Sequence, residues 1–446
     1  MKHRPEWWWV ALWGALVAVA LTLRPLLPID ETRYLSVAWE MWLRQDWLVP
    51  HLNGSPYPDK PPLLFWGILL GWRVFGVNEW WPRLLPPLAA LLCVFLLVRL
   101  ARRLSTDDLA GRAVPLLSGL LWATYSTLVL FDTLLTVCVL LALVGVADAA
   151  SGRPGRGWLA YGIGVGLGFL AKGPVVLVHV LPVALLAPWW TVSATIRRGR
   201  WFAGLVAALA LGTAIGLAWA LPAGARGGPA YREALLWKES AGRIAHAFAH
   251  RRPWWWYLPL LPLVLFPWAL WPSLWRSFAE LRRGPPQVAT RFAFSCLVPG
   301  LIIFSLISGK QVHYLMPLLP VFAILAGTAI ATRPRPISLS LVSPALLIVA
   351  HLAAAGPLAW RYDLRPAAAE AKDAERAGRP VAYVGGYEGQ LHFLGRLERP
   401  LEEVKLADVG RWRAAHPGGL VLFRKMPASS APPSLPFRPE RPAAGD

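Results

Sequence analysis

The sequence predicts an all-α polytopic membrane protein of about eleven transmembrane helices, with juxtamembrane helices on one face and a small C-terminal α/β domain. Three observations lead there. Hydrophobic residues make up 56% of the 446-residue chain and charged residues only 16%, an unusual balance for a soluble protein. The apolar residues fall in repeated blocks of about 18–22, enough helix to cross a hydrocarbon core of ~30 Å. Arginines recur in alternate loops between those blocks, as the positive-inside rule requires.

The spans are expected at 7–24, 82–100, 113–130, 132–150, 157–171, 173–190, 201–222, 254–275, 292–308, 314–331 and 337–356. The first follows Lys2 and Arg4 and lacks a small-residue cleavage site, so it reads as a retained anchor rather than a signal peptide. With the N-terminus in the cytoplasm, the inner loops hold Arg102, Arg103 and Arg112, then Arg153 and Arg156, then Arg197, Arg198 and Arg200. Arg276, Arg282, Arg283 and Arg291 follow, then Arg333 and Arg335. The opposite loop 124–131 has no Lys or Arg. Segment 61–76 is short and contains Arg73. Counting it as a crossing would move every arginine-rich loop outside, so it reads as a half-inserted or interfacial helix.

On this topology the membrane domain covers residues 1–356. Residues 357–426 form a small α/β domain on the outer face, built around VAYVGG, a helix-like YEGQLHFLG and LVLFR. The tail 427–446 is rich in Pro, Ser and Ala and reads as disordered. Cys93, Cys138 and Cys296 lie in apolar runs and read as small core residues. The net charge of +20 sits largely in short loops and no nucleic-acid motif is visible, so no nucleic-acid partner is expected. The 26 tryptophans suit a headgroup boundary.

The topology also collects the chemistry. Asp30, Glu31, Asp59, Lys60, Lys172, His246, His250, Lys310 and His313 all fall on the outer face, and Asp132 opens a span from it. In IDETRY, Asp30 reads either as the cap of the next helix or as a general base held beside Arg33, with Glu31 as a second acid. In PYPDKPPLLFW, prolines stiffen the backbone around Tyr57, Asp59 and Lys60. Lys60 suits a phosphate, or simply snorkels. Asp132 in LVLFDTLLT is an acid in an apolar run, costly unless functional, with helix capping as the alternative. Lys172 in FLAKGP either marks a turn between spans or meets an anionic headgroup. His246 and His250 are four residues apart and would share one helix face; with an acid they could bind zinc, although structural histidines are commoner. Lys310, His313 and Tyr314 stand at the mouth of a later span.

Several cations, a few carboxylates and many aromatics at a lipid boundary suit a lipid-linked phosphate. The motifs DETRY, QDWLVPHLNGSPYPDKPPLLFW, GVNEWWPRL, the FD of LVLFDTLL, FLAKGP, HRRPWWWY and SGKQVHYLMPLLP occur in order over about residues 28–320. In these the chain resembles the bacterial lipid A aminoarabinose transferases and the related protein mannosyltransferases, the GT-C glycosyltransferases. That resemblance implies a GT-C-like fold in the bacterial inner membrane. It implies inverting transfer of a sugar from undecaprenyl phosphate, on the periplasmic side, to lipid A, another envelope glycolipid or a protein. It implies Asp30 as catalytic carboxylate and Asp132 as second acid, with Lys60, Arg33 and Tyr57 on the donor phosphate and Lys172, Lys310 and Tyr314 behind them. It also implies a zinc ion near Asp59 and His250, with Asp59 standing where the family usually has Glu. The family's usual count of about thirteen spans is higher than the count read here. A lipid-linked-sugar transporter or flippase would show repeated halves and broken mid-membrane helices, and neither is visible. A non-catalytic lipid-binding protein would have no use for Asp30.

Overall fold

The computed structural model describes residues 7–191, 197–236, 251–285, 287–334 and 336–423. The chain opens with α1 (Trp7–Leu23) and α2 (Asp30–Arg44), then a short antiparallel hairpin of β1 (His51–Leu52) and β2 (Ser55–Pro56). It continues through α3 (Leu63–Phe75), α4 (Trp80–Leu104), α5 (Leu109–Leu116), α6 (Leu120–Tyr125), α7 (Phe131–Ala150), α8 (Pro154–Lys172) and α9 (Val176–Leu185).

Among the described residues, seven helical segments are long and apolar enough to cross a membrane: Trp80–Leu104, Phe131–Ala150, Pro154–Leu185, Arg198–Gly227, Val288–Leu306, Val312–Ala329 and Ile337–Arg376. Burial ranks them. α7 is covered along most of its length, whereas Arg198–Gly227 leaves most of its apolar surface open, as a helix facing lipid acyl chains does. α8 lies against α7 almost backbone to backbone. A Cβ at Gly145 would stand 2.6 Å from the Gly157 carbonyl oxygen, and one at Gly164 2.8 Å from that of Cys138. Small residues are what permit this approach.

The chain turns back after Lys172. Gly173 has φ +74°, which glycine adopts without a Cβ penalty. Trp158, early in α8, packs on Trp201 with ring centroids 4.8 Å apart, and the Trp201 indole donates to the Ala184 carbonyl in α9 at 3.0 Å. α8 and α9 are therefore two arms of a hairpin with Lys172 at its tip.

Several expected spans are not continuous helices, 113–130 and 254–275 among them. Segment 113–130 divides into α5 and α6, and between them the Leu120 amide bonds to the Phe266 carbonyl at 2.8 Å instead of to its own helix. Segment 254–275 is a series of short turns, Leu258–Leu260, Leu261–Val264 and Trp268–Leu270, before the helix Pro272–Arg283. Pro259, Pro262, Pro267 and Pro272 each remove an amide donor, so no long helix can run through them. α3 has 13 residues, about 20 Å of helix, too short to cross. It buries Phe65, Ile68, Leu69 and Trp72 and exposes Leu70, Val74 and Phe75.

The helix Val342–Tyr362 runs past the expected boundary at residue 356. The C-terminal unit is a three-stranded parallel sheet of β3 (Val381–Val384), β4 (Glu402–Val404) and β5 (Leu420–Phe423), in the order β4-β3-β5. Its core is Ala368, Ala371 and Ala374 of the helix Arg365–Arg376 against Val381, Tyr383 and Leu397. Of the expected helix through YEGQLHFLG only His392–Gly395 is helical. The unit sits on α2. The Trp39 indole donates to the Leu397 carbonyl at 2.8 Å, Asn53 and Leu401 exchange two hydrogen bonds, and Trp72 stacks on Phe393 at 5.3 Å. The expected tail 427–446 lies outside the described residues.

Candidate active site

α7 begins beside the C-terminal end of α8, and this places Asp132 at the tip of the α8–α9 hairpin. Lys172 donates to Asp132 Oδ1 at 2.5 Å, and His313 Nε2 is 3.8 Å from Asp132 Oδ2. The Asp132 side chain is 4% exposed. Lys172 also lies over the Tyr314 ring, 4.7 Å from its centroid, a cation–π contact. His313 packs between Tyr125 and Tyr314, at 5.4 and 5.0 Å. A buried charge without a partner would be very costly, and here the partner comes from another span.

Asp30 opens α2 and its side chain is 50% exposed. Arg33 donates to Asp30 Oδ1 at 2.5 Å and reaches with its other amino group to Glu388 of the C-terminal unit. The Tyr34 hydroxyl lies 3.5 Å from the same Asp30 oxygen. Burial pulls the Arg33 pKa down, but Tyr57, Tyr34, Asp30 and Glu388 more than offset it, so the guanidinium is held firmly charged. Burial, with Asp30 beside it, pushes the Tyr34 phenol well above its ordinary pKa, so it serves as a donor and not a base. Behind both acids stands an aromatic wall: Phe131 packs edge-on against Tyr34 at 4.9 Å and Phe65 at 5.5 Å.

The two acids are near neighbours: Tyr34 reaches Asp30 and packs on Phe131, the residue before Asp132. Asp30 and Asp132 both act electrostatically on Tyr125. Asp132, Lys172, Asp30 and Lys60 all act on His313, and Lys60 acts on Asp132. Tyr57 is buried, its amide bonded to the Pro50 carbonyl at 2.8 Å, and it lies within the field around Arg33. Residues from five stretches of chain thus meet at one end of the bundle: Asp30 and Arg33, Tyr57 and Lys60, Asp132, Lys172, and His313 with Tyr314. Chemically the arrangement offers one accessible carboxylate and several cations, enough to take a proton and to balance a leaving phosphate.

Two expected roles change. Glu31 is not a second open acid. It is 2% exposed, ion-paired with Arg24, and accepts the Leu27 and Val129 amides at 2.9 and 2.8 Å. Burial alone would raise its pKa, but Arg24 and these donors outweigh that and hold it below the ordinary value. Lys310, expected on a phosphate, is 2% exposed and donates to the carbonyls of Arg252, at 3.1 Å, and Ile307; it pins that loop. Of the residues expected near a zinc ion, His250 lies outside the described residues, and among those described no group of three His, Cys, Asp or Glu could hold a metal.

Two participants escape the sequence reading. His313 is one of several outward polar residues until the structure puts it on Asp132. Glu388 comes from the GGYEG turn, 355 residues from Arg33, and nothing local to that turn signals the contact.

Known proteins are similar to this chain in sequence and in fold. Residues 59–225 match the family model described as dolichyl-phosphate-mannose-protein mannosyltransferase. An undecaprenyl phosphate-alpha-4-amino-4-deoxy-L-arabinose arabinosyl transferase of Pseudomonas paraeruginosa is 34% identical over 413 residues, covering 83% of this chain and 74% of the relative. The protein of the same name from Pseudomonas aeruginosa (strain UCBPP-PA14) is 35% identical over 417 residues, with the same coverage. Among solved structures, ArnT from Cupriavidus metallidurans bound to undecaprenyl phosphate superposes with a TM-score of 0.67 at 21% identity, over 93% of this chain and 89% of that one. The archaeal oligosaccharyltransferase AglB from Archaeoglobus fulgidus, in complex with an inhibitory peptide and a dolichol-phosphate, gives 0.52 at 12% identity, over 89% and 64%. At these identities the structures show a shared fold, while the relatives settle the lineage: the chain belongs to the family of undecaprenyl phosphate-4-amino-4-deoxy-L-arabinose arabinosyl transferases, and it is a multi-pass membrane glycosyltransferase.

Proposed function

We propose that Asp30 is the general base of an inverting transfer from a polyprenyl-phosphate-linked sugar to a hydroxyl-bearing envelope acceptor. The carrying observation is the convergence of this half-exposed carboxylate with Arg33, Lys60 and Lys172 at one end of the bundle. Asp30 takes the acceptor hydroxyl proton as the acceptor oxygen bonds to the anomeric carbon. The bond from that carbon to the phosphate oxygen breaks, and its electron pair leaves with the polyprenyl phosphate. Arg33 and Lys60 face the growing phosphate charge. Asp132 holds Lys172 in place through their ion pair, and Tyr57 and Tyr314 wall the site.

The sugar in the relatives' name, 4-amino-4-deoxy-L-arabinose, is the donor sugar we infer, with lipid A or a similar glycolipid as acceptor. The site faces the periplasm. Supporting this, Asp148 at the far end of α7 gathers Arg99, Arg103 and Arg153, the arginine bias of an inner leaflet. Counting the α8–α9 hairpin twice and adding α1, α5–α6 and the proline-broken 254–271 gives about eleven crossings.

The test is transfer in membranes supplied with undecaprenyl-phosphate aminoarabinose, read by mass spectrometry of lipid A. Wild type should add the aminopentose and Asp30→Asn should not. Full transfer by Asp30→Asn would end the assignment of the base. An added hexose, or a product on protein alone, would replace the sugar or the acceptor.

A further inference from the structure

The Glu31 carboxylate is buried among donors from three segments. Arg24, just beyond α1, gives it two amino groups, one of them at 3.1 Å. The Leu27 amide comes from the turn that leads into Asp30, and the Val129 amide from the turn-and-bend stretch that leads into Asp132. Arg24 also donates to the Thr127 carbonyl at 3.1 Å, in that same stretch. The Arg24 backbone is fixed in turn: Arg83 donates to the carbonyls of Ala20 and Arg24, both at 2.6 Å, and pairs with Glu79 at 3.1 Å. Arg24, Glu31 and Arg83 are each 5% exposed or less. A fully buried ion pair contributes little to stability on balance, since desolvation consumes most of its attraction. What this one does with its spare hydrogen bonds is join the two peptide stretches that carry the site's carboxylates.

We propose that Arg24 and Glu31 are a positioning pair that sets the separation between Asp30 and Asp132. Neither side chain opens toward the site, so neither touches substrate. The pair clamps residues 27–30 and 127–132 onto one carboxylate, and with them the base and the Asp132–Lys172 unit that faces the phosphate. This deepens the functional reading above and rests on it. A misplacement of the order of 1 Å in such a site costs about a hundredfold in rate.

The experiment uses the full chain in lipid nanodiscs, with kinetics, a melting temperature and amide exchange measured on each variant. Glu31→Gln leaves Arg24 buried and unpaired, and is expected to lose both stability and turnover. The deciding variant is Arg24→Met with Glu31→Gln, which removes both charges but keeps the volume. It should melt close to wild type, because a neutral buried pair is tolerated. Its kcat should still be down about a hundredfold with the donor KM within about threefold, and the Leu27 or Val129 amide should exchange at least about tenfold faster, its acceptor having been lost. Recovery of kcat together with melting temperature would overturn the proposal and leave a merely structural pair. Unchanged amide protection at 27 and 129 would overturn it as well. A wild type inert toward every polyprenyl-phosphate donor would sink the functional reading instead, and the exchange rates would still decide whether the clamp exists.

Discussion

α7 carries a buried carboxylate near each end, and the surroundings of the two differ. Asp148 is 1% exposed and is met by three arginines, Arg99 at 3.3 Å, Arg103 at 2.7 Å and Arg153 at 3.4 Å, from α4 and the α7–α8 turn. Asp132, sixteen residues earlier and about 24 Å away along the helix, has one lysine, a histidine at 3.8 Å, and Asp30 and Lys60 in its surroundings. At one end three cations converge on a single buried acid. At the other, acids and cations come from five stretches of chain, and one of the acids, Asp30, is half exposed. The first arrangement ties helices together; the second can bind an anion and move a proton. Buried charge in a membrane protein is thus no sufficient sign of chemistry, and what separates lock from site here is the half-exposed Asp30 carboxylate standing near a buried ion pair.

That comparison is broken most directly at Asp30. Asp30→Asn keeps the size and the Arg33 contact but cannot accept the proton. Turnover should fall by about 10²–10⁴-fold, the usual contribution of a general base, with the melting temperature unchanged because the side chain is half exposed. A loss of less than about tenfold would move the base elsewhere.

Asp132→Asn comes next. It leaves Lys172 without its counter-charge, though still over the Tyr314 ring. We expect turnover to fall about a hundredfold through loss of an aimed cation, less than for Asp30 because Arg33 and Lys60 remain. If Asp132→Asn unfolds the chain and Asp148→Asn does not, the two ends have been read the wrong way round.

Arg33→Lys sharpens the account of the phosphate. The guanidinium spans two carboxylates, Asp30 and Glu388, a geometry an ammonium cannot copy. The donor KM should rise about tenfold with kcat moving by less than about threefold, because one charge remains but the forked geometry is gone. A pure kcat loss would place Arg33 with the base.

Both ends of α7 were equally written in the chain, but only one could be read. LVLFDTLL stands out because an acid interrupts an apolar run, and the extended PYPDKPP turn marks Lys60 through its prolines. GVADAASGR ends a helix in small and polar residues, so Asp148 looks like ordinary surface until Arg99 and Arg103 arrive from α4. Glu31 was legible as an acid but not as a clamp, since its partners at 24 and 129 are set by how three segments pack. Span 254–275 fails for a different reason: its apolar content outweighed four prolines that forbid a long helix. Local chemistry is visible in sequence, whereas the partner that decides its role usually comes from elsewhere in the fold.

The smallest effect on activity is expected at the far end. Asp148→Asn removes the charge on which three arginines converge, and those arginines are only partly exposed, with side chains 30%, 27% and 49% accessible. Breaking a buried pair costs up to about 3–5 kcal/mol, and partial solvation of the arginines should bring the loss toward the lower end of that range. The variant should therefore melt earlier while its kcat and donor KM stay within about twofold of wild type below the new transition, because the site lies a helix length away. Equal loss of turnover well below the melting point would mean that the two ends of α7 are coupled, and that the arginine cluster takes part in aligning Asp132 as well as in holding α4, α7 and α8 together.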